Sequence, residues 1–362
     1  MTEPLYSSSA PVFKVEGQVE PTLARDLVRL DVEETTAGLK TCAARFLAVG
    51  PKSGASSEQL EYLDGSKLDF GKKLQVSLGP SGDERIVFTG SISGLEIRFD
   101  EGHEPEVTAF AEDALMKLRM TRRAKTYEQM SDADIAAAVA NEHGLTPSTA
   151  ADGPTYDVVQ QWNQSDLAFL RERARLVQAE LWCEDDTLNF KTRGNRSASS
   201  VTLVQGNQLV SIECRADLAH QRTKVTVSGY DAAQRATIEQ EAGSDTVQAE
   251  VSGGQTGPSV LQRALGERVS SRVREAPLLD GEATAWANAE MLRRSRGFVT
   301  VAGTTHGTPD LVVGSRLTLQ RVGSPFEGDG YYVTSVRQSY DLRSGLRTRF
   351  VAERATVNSG AS

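Results

Sequence analysis

VVQQWNQSDLAFLRERARLVQAELWCEDDTLNF, residues 158–190, is where the chain changes character. On either side, short apolar and polar runs alternate between glycine turns. Here Leu167, Leu170, Ala174 and Val177 fall three or four apart, the spacing of one helix face. Asn163 or Ser165 can cap that helix, because a side-chain oxygen there accepts from an amide the first turn leaves free. Arg171, Glu172, Arg173 and Arg175 fall largely on the other sides, where the three arginines are expected to be exposed, either solvated or free to pair with acids across an interface. After Gln178 the period returns to two: ELWCE, the pair Asp185-Asp186 and TLNFK read as a hairpin. Trp162 and Trp182 flank the helix where they can pack it onto that hairpin. Glu184, Asp185 and Asp186 read as turn chemistry at a solvated tip. General acid-base work needs two carboxyls with separated pKa values, and water does not separate them.

Upstream, SDADIAAAVANEHGL (131–145) is a second helix. Ser131 caps it, Asp132 and Asp134 suit its positive end, Gly144 closes it, and Ile135, Ala138, Val139 and Glu142 share a face. Around this middle lie two strand-rich segments, giving the expected division: residues 1–114 a first β-barrel with an N-terminal arm, 115–199 an α/β element, 200–362 a second β-barrel with helical insertions. The fold class is α+β, mostly β. In DLVRLDVEETTAGLKTCAARFLAV, Leu27, Arg29 and Asp31 alternate with Val28, Leu30 and Val32, an antiparallel signal. PKSGASS (51–57) and GGQTGPS (253–259) read as loops, GPSVLQRALGERVSSRV and DGEATAWANAEMLRRSR as helices, and Asp329-Gly330 as a hairpin turn.

The two strand-rich segments echo each other. Gly71, Leu74 and Val76 match Gly314, Leu317 and Leu319; Phe88, Gly90 and Ile92 match Tyr332, Thr334 and Val336; Val107, Ala109 and Ala111 match Thr348, Phe350 and Ala352. VTAFAEDA from Val107 also resembles VTVSGYDA from Val225.

Composition bounds the function. A chain of 362 residues suggests two or three domains, and 25% charged residues with 39% hydrophobic is ordinary for a globular protein. A net charge of -9 opposes direct binding to nucleic acid or an anionic membrane, and the basic run RMTRRAK (119–125) reads as a solvated helix end or loop. Cys42, Cys183 and Cys214 are too scattered for a metal knuckle and read as buried free thiols. The N-terminus carries no signal peptide pattern and no apolar stretch is long enough to span a bilayer. His103, His143, His220 and His306 lack metal-site spacing, and no nucleophile elbow or phosphate loop appears, so no catalytic residue, metal or cofactor is expected.

The signature Q-x-N-x-S-D-x-x-F-L-R-x-x-A in the 158–190 run, followed by its hairpin, resembles the baseplate hub proteins of contractile phage tails. This is the late control protein D family, similar also to the hub half of the valine-glycine-repeat spike proteins of type VI secretion. TYEQMSDADIAAAVANEHGL, VTVSGYD, ATAWANAEMLRR and GTPDLVVGSRLTL support it in order and spacing. The resemblance implies a homotrimer whose paired barrels imitate a sixfold ring. It would join a tail tube protein to a threefold spike, contact other baseplate components, and leave a passage for a tape-measure protein or cargo. It further implies assembly in the cytoplasm into a phage tail, tailocin or extracellular injection particle. Because the chain stops after the second barrel, a separate spike protein is expected. Trp162, Arg171, Arg173, Arg175 and Trp182 become candidate subunit or partner contacts. Two other readings are a cell-wall carbohydrate-cleaving baseplate enzyme using Glu180, Glu184 and Asp186, and a glycan-binding β-rich tail protein. Aromatics at 6% give the latter little sugar platform.

Overall fold

The computed structural model describes residues 10–49, 60–80, 82–272 and 279–358. The 51–57 loop and the first nine residues of the N-terminal arm lie outside them. The first barrel is built from β1 (Val12–Val15), β2 (Gln18–Val19), α1 (Pro21–Arg25), β3 (Leu27–Thr35), β4 (Thr41–Leu47), β5 (Lys73–Leu78), β6 (Arg85–Arg98) and β7 (Glu106–Glu112). Its strands pair antiparallel in the order β3-β4-β7-β6-β5-β1-β2. Alternate side chains, among them Val32, Ala44, Phe46, Val76, Phe88, Ile92 and Ala109, fill one core. In β3 the alternation breaks once. Leu27 and Leu30 are both buried because the register with β4 shifts between Leu27 and Arg29, a bulge. Among the described residues no ladder joins β1 or β2 to β3. The connecting α1 lies between them, with Leu23 fully buried in the barrel core.

The middle comprises α2 (Met116–Met120), β8 (Arg122–Ser131), α3 (Asp132–Glu142), β9 (Thr146–Ala150), β10 (Thr155–Ser165), α4 (Asp166–Val177), β11 (Ala179–Glu184) and β12 (Thr187–Thr192). Ser131 caps α3 as expected: its Oγ accepts from the Asp134 amide, and the Asp134 carboxylate accepts from the Ser131 amide. The buried face of α3 is Ile135, Ala136, Val139 and Ala140, rotated from the expected one, with Glu142 exposed. Ser165, not Asn163, caps α4, and Leu167, Leu170, Ala174 and Val177 are all buried. The hairpin turns at Asp185-Asp186, and β12 also pairs in parallel with β9.

The chain then forms β13 (Ser200–Val204) and β14 (Leu209–Ala216), and leaves the sheet. It makes β15 (Lys224–Asp231), β16 (Ala236–Ala242), α5 (Ser244–Gln248), β17 (Gln255–Thr256), α6 (Gly257–Leu265), β18 (Val269–Arg272) and α7 (Asp280–Arg296). It returns with β19 (Val299–His306), β20 (Arg316–Gln320), β21 (Gly328–Asp341), β22 (Gly345–Arg354) and β23 (Thr356–Val357). The excursion is more than a helical insertion in a barrel. Val225, Val227, Ile238, Trp286 and Met291 share the core of α3 and α4. Two expectations change with it. VTVSGYDA lies in β15, in a sheet with β16 and β18, so its likeness to β7 is not part of the barrel repeat. The 253–259 stretch holds β17 and the start of α6, with Thr256 as the cap, rather than a plain loop. The pair Asp329-Gly330 lies inside the start of β21; the turn precedes it, where the Phe326 amide donates to the Gly323 carbonyl.

The second barrel orders its strands β14-β19-β22-β21-β20-β13, and a bridge from Gln205 to Leu209 brings β13 back to β14. The repeat is visible in its hydrogen bonds. The Gly71 amide donates to the Ile92 carbonyl and the Gly314 amide to the Val333 carbonyl, at 2.8 and 2.9 Å. Both glycines have positive φ, 81° and 94°, where a side chain is strained. Bulges fall at the same place, between Ile92 and Gly94 in β6 and between Val333 and Ser335 in β21. A matching pair sits at Leu27/Arg29 and Leu209/Ser211. Strands β3, β4, β5, β6 and β7 thus correspond to β14, β19, β20, β21 and β22. The Gly71 and Val107 blocks match as the sequence suggests. The Phe88 block is displaced by three residues, Ile92 pairing off with Val333 rather than Val336, because the paired bulges set the register and leave no mark in composition. The partner of β5 differs from that of β20: β1 is antiparallel, β13 parallel.

Candidate assembly interface

The two barrels are not beads on a linker. Residues 335–341 of β21 pair antiparallel with 29–35 of β3, merging both into one 13-stranded sheet. On one face of this seam, Val336, Gln338 and Tyr340 lie against Glu34, Val32 and Leu30, all buried. On the other face Asp31 accepts from Arg29 Nε (2.6 Å), Arg337 Nε (3.0 Å) and Ser339 Oγ (2.8 Å), and Arg337 Nη1 lies 2.9 Å from Glu33. Burial pushes the Asp31 carboxyl up, but these hydrogen bonds outweigh it and hold the group below the usual carboxylate range.

The 158–190 helix and hairpin brace the seam from outside. Arg171 donates from Nε to the Ala37 carbonyl (2.7 Å) and from Nη2 to the Gly38 carbonyl (3.0 Å), gripping the β3–β4 turn. Glu180 of β11 is buried and accepts from Arg193 (3.0 Å), Arg196 (3.2 Å) and the Tyr332 hydroxyl (2.6 Å). The other arm of Arg196 reaches Glu34 of β3 at 2.6 Å, and its guanidinium stacks 4.2 Å over the Trp182 ring. Lys40 and Glu353 complete the network through Glu34 and Arg193. One buried arginine therefore ties the first barrel to the middle element, and Glu180 carries the tie to Tyr332 of the second.

Of the residues singled out in the sequence, Trp182 is core and Arg171 is committed to backbone carbonyls. Arg173 is not exposed: it pairs with buried Asp132 and lies 4.4 Å over the Tyr156 ring. Burial pushes the Asp132 carboxyl up, against the pull of Arg173. Arg175 is exposed. Trp162 does not pack the helix onto the hairpin. It is 72% exposed, because β10 shifts register on β8 between Gln161 and Gln164 and turns this ring outward. Of the thiols, Cys42 and Cys183 are buried and Cys214 is half-buried. Glu184, Asp185 and Asp186 are exposed at the hairpin tip. Glu180 and Glu184 lie four residues apart along one strand, a separation of about 13 Å at the rise of an extended chain. Sequence reasoning missed Glu34, Arg193, Arg196 and Asp166. The last is fully buried, facing Arg123 and His143, each at 2.8 Å. Among the described residues no helix is long and apolar enough to cross a membrane, and no three His, Cys, Asp or Glu side chains group to hold a metal.

Asp113, where β7 leaves the barrel, accepts from the Lys40 and Leu115 amides at 2.8 and 3.0 Å. Burial pushes its carboxyl up to about 6. With an unfolded value near 3.9, this stabilises the fold fully below about pH 4, and the contribution is lost as pH rises through about 6. Asp113→Asn is expected to flatten that part of the pH-stability curve by roughly 3 kcal/mol. Urea unfolding from pH 4 to 7 measures it; an unchanged slope would contradict the assignment.

The sequence matches, over residues 43–341, the family described as the Alg8 N-terminal domain. The chain belongs to that family. The Alg8 N-terminal domain description names no reaction, and no curated protein sequence matches the chain. Among solved structures, the fold is that of the 43 kDa tail protein of prophage MuSo2 from Shewanella oneidensis. The TM-score is 0.67 at 14% identity, covering 96% of this chain and 98% of that one. The tail protein from Neisseria meningitidis MC58 superposes with a TM-score of 0.65 at 14% identity, covering 95% and 96%. The E. coli c3393 protein, described as a component of the type VI secretion system with structural similarity to T4 bacteriophage tail proteins gp27 and gp5, gives 0.57 at 12%, covering 96% and 77%. This Alg8 N-terminal domain chain thus has the mostly β fold of phage tail proteins, the fold its central signature led the sequence to resemble.

Proposed function

We propose that the chain is a non-catalytic baseplate hub, of the late control protein D kind, in a contractile injection particle. As a homotrimer it seats a sixfold tail tube on one side and a threefold spike on the other. One observation carries the reading: a single chain holds two β units with the same bulges and register, fused edge to edge along β3 and β21. Three such chains offer six nearly equivalent units to a tube while keeping threefold symmetry toward a spike, and closed rings repeat one contact around an axis. Assembly would occur in the cytoplasm, with tail tube, spike and other baseplate proteins as partners and a central passage for a tape-measure protein or cargo. The carbohydrate-cleaving alternative is weakened by geometry. Glycosidase carboxyls stand roughly 5 to 10 Å apart, whereas Glu180 is locked between Arg193 and Arg196, well separated along β11 from Glu184 at the exposed tip.

Purified chain should run at three times its 39.1 kDa mass in light scattering and shorten the lag of tail tube polymerisation when added in small amounts. A monomer with no effect on that lag would contradict the reading.

A further inference from the structure

The internal seam predicts the external one. The repeat equates β6 with β21 and β14 with β3, and β21 and β3 are the strands that join inside the chain. Each has an equivalent left with an open edge. Among the described residues, β6 beyond Ser91 pairs with β7 alone, and β14 beyond Leu209 pairs with β19 alone. Eight strands, from β14 through β19, β22, β21, β3, β4 and β7 to β6, run from one open edge to the other. Open edges of this kind are templates for pairing.

We propose that residues 94–100 of one copy pair antiparallel with residues 211–217 of a second copy, repeating the register of the β21–β3 seam. This rests on the hub reading above and gives that assembly its contact. Transferring the register residue by residue sets Leu95 opposite Ala216, Glu96 opposite Arg215, Ile97 opposite Cys214, Arg98 opposite Glu213, and Phe99 opposite Ile212. The chemistry agrees on both faces. On the core face, Ile97 and Phe99 are 36% and 64% exposed in the isolated chain, whereas their counterparts Gln338 and Tyr340 are 4% and 9% exposed in the closed seam. Pairing with Ile212 and Cys214 covers that apolar row. On the other face, the seam sets Arg337 against Glu33 and Asp31. The open edges carry the same complementarity with the signs exchanged at the central pair, Glu96 facing Arg215, and Arg98 facing Glu213 beside it. Cross-strand pairs of opposite charge favour one register over its neighbours. Arg98 and Arg215 now hold Asp100 and Asp217, just past the ends of their own strands, as Arg29 holds Asp31 within the seam, an arrangement that leaves room for the cross-strand partner.

Directly opposed residues in an antiparallel pair have Cα atoms roughly 4.5 to 5.5 Å apart, within disulfide reach. Ile97→Cys is therefore expected to form an intermolecular disulfide with native Cys214 under mild oxidation, giving covalent dimers and trimers on non-reducing gels that vanish when Cys214→Ser is added. Independently, Glu96→Arg or Arg215→Glu alone should weaken self-association roughly tenfold or more through like charges, and the two together should restore it. Trimeric mass with no disulfide to Cys214 in the Ile97→Cys variant and no charge-swap recovery overturns this pairing and leaves the hub reading intact. A wild-type chain that stays monomeric at every concentration reached overturns both.

Discussion

Arg196→Ala is expected to cost about 2–3 kcal/mol, the upper end for a buried hydrogen bond to a charged group, because Lys40 and Arg193 remain beside Glu34 and Glu180. Its side chain is 5% exposed, and its loss leaves Glu34 with Lys40 and Glu180 with Arg193 and Tyr332, without the guanidinium that now joins the two carboxylates. The Trp182 ring loses its stacked cation as well. Arg196→Lys retains the charge but not the two-armed reach, so an intermediate loss is expected. Urea unfolding followed by tryptophan fluorescence measures both, since Trp182 reports on this contact. A loss below roughly 1 kcal/mol, the scale of an exposed ion pair, would show that the network does not hold the three parts together.

Gly38→Ala tests the other anchor. Gly38 sits in the β3–β4 turn with φ at 70°, and a Cβ there would stand 2.3 Å from the Leu181 carbonyl oxygen of the hairpin. That oxygen is backbone, so relief requires the barrel and the hairpin to separate. The left-handed conformation and the overlap together predict a loss of about 2–5 kcal/mol. Gly102→Ala is the control, since φ is 78° there but nothing lies within 4 Å of the new Cβ. It should lose only the backbone part, about 1–2 kcal/mol. Equal losses at the two positions would mean that the hairpin does not bear on the turn.

The 158–190 stretch was readable because its signals are local: a serine cap, an apolar stripe of helical spacing and a two-residue turn. The barrel repeat was readable for the same reason in its Gly71 and Val107 blocks. It slipped by three residues in the Phe88 block, where bulges decide the register. What could not be read depends on distant segments. Whether β15 and α7 join a barrel or the middle element is decided by which apolar surface Val225 and Trp286 meet, and period alone is silent on that. The seam joins Asp31 to Arg337, and the buried network draws Glu34, Glu180 and Arg196 from three separate segments. Arg171 and Arg173 stood out by position in α4, but their partners, the Gly38 carbonyl and Asp132, belong to neighbouring elements no periodicity connects. Trp162 faces outward for the same kind of reason, a bulge in β10.

Electron-microscopic averaging of the purified assembly, viewed down its axis, tests the central claim most directly. Three chains about a threefold axis, presenting six barrel densities at nearly equal angular spacing, is the expected result. A different number of chains, or a ring in which the two barrels of each chain lie at different radii, would contradict it.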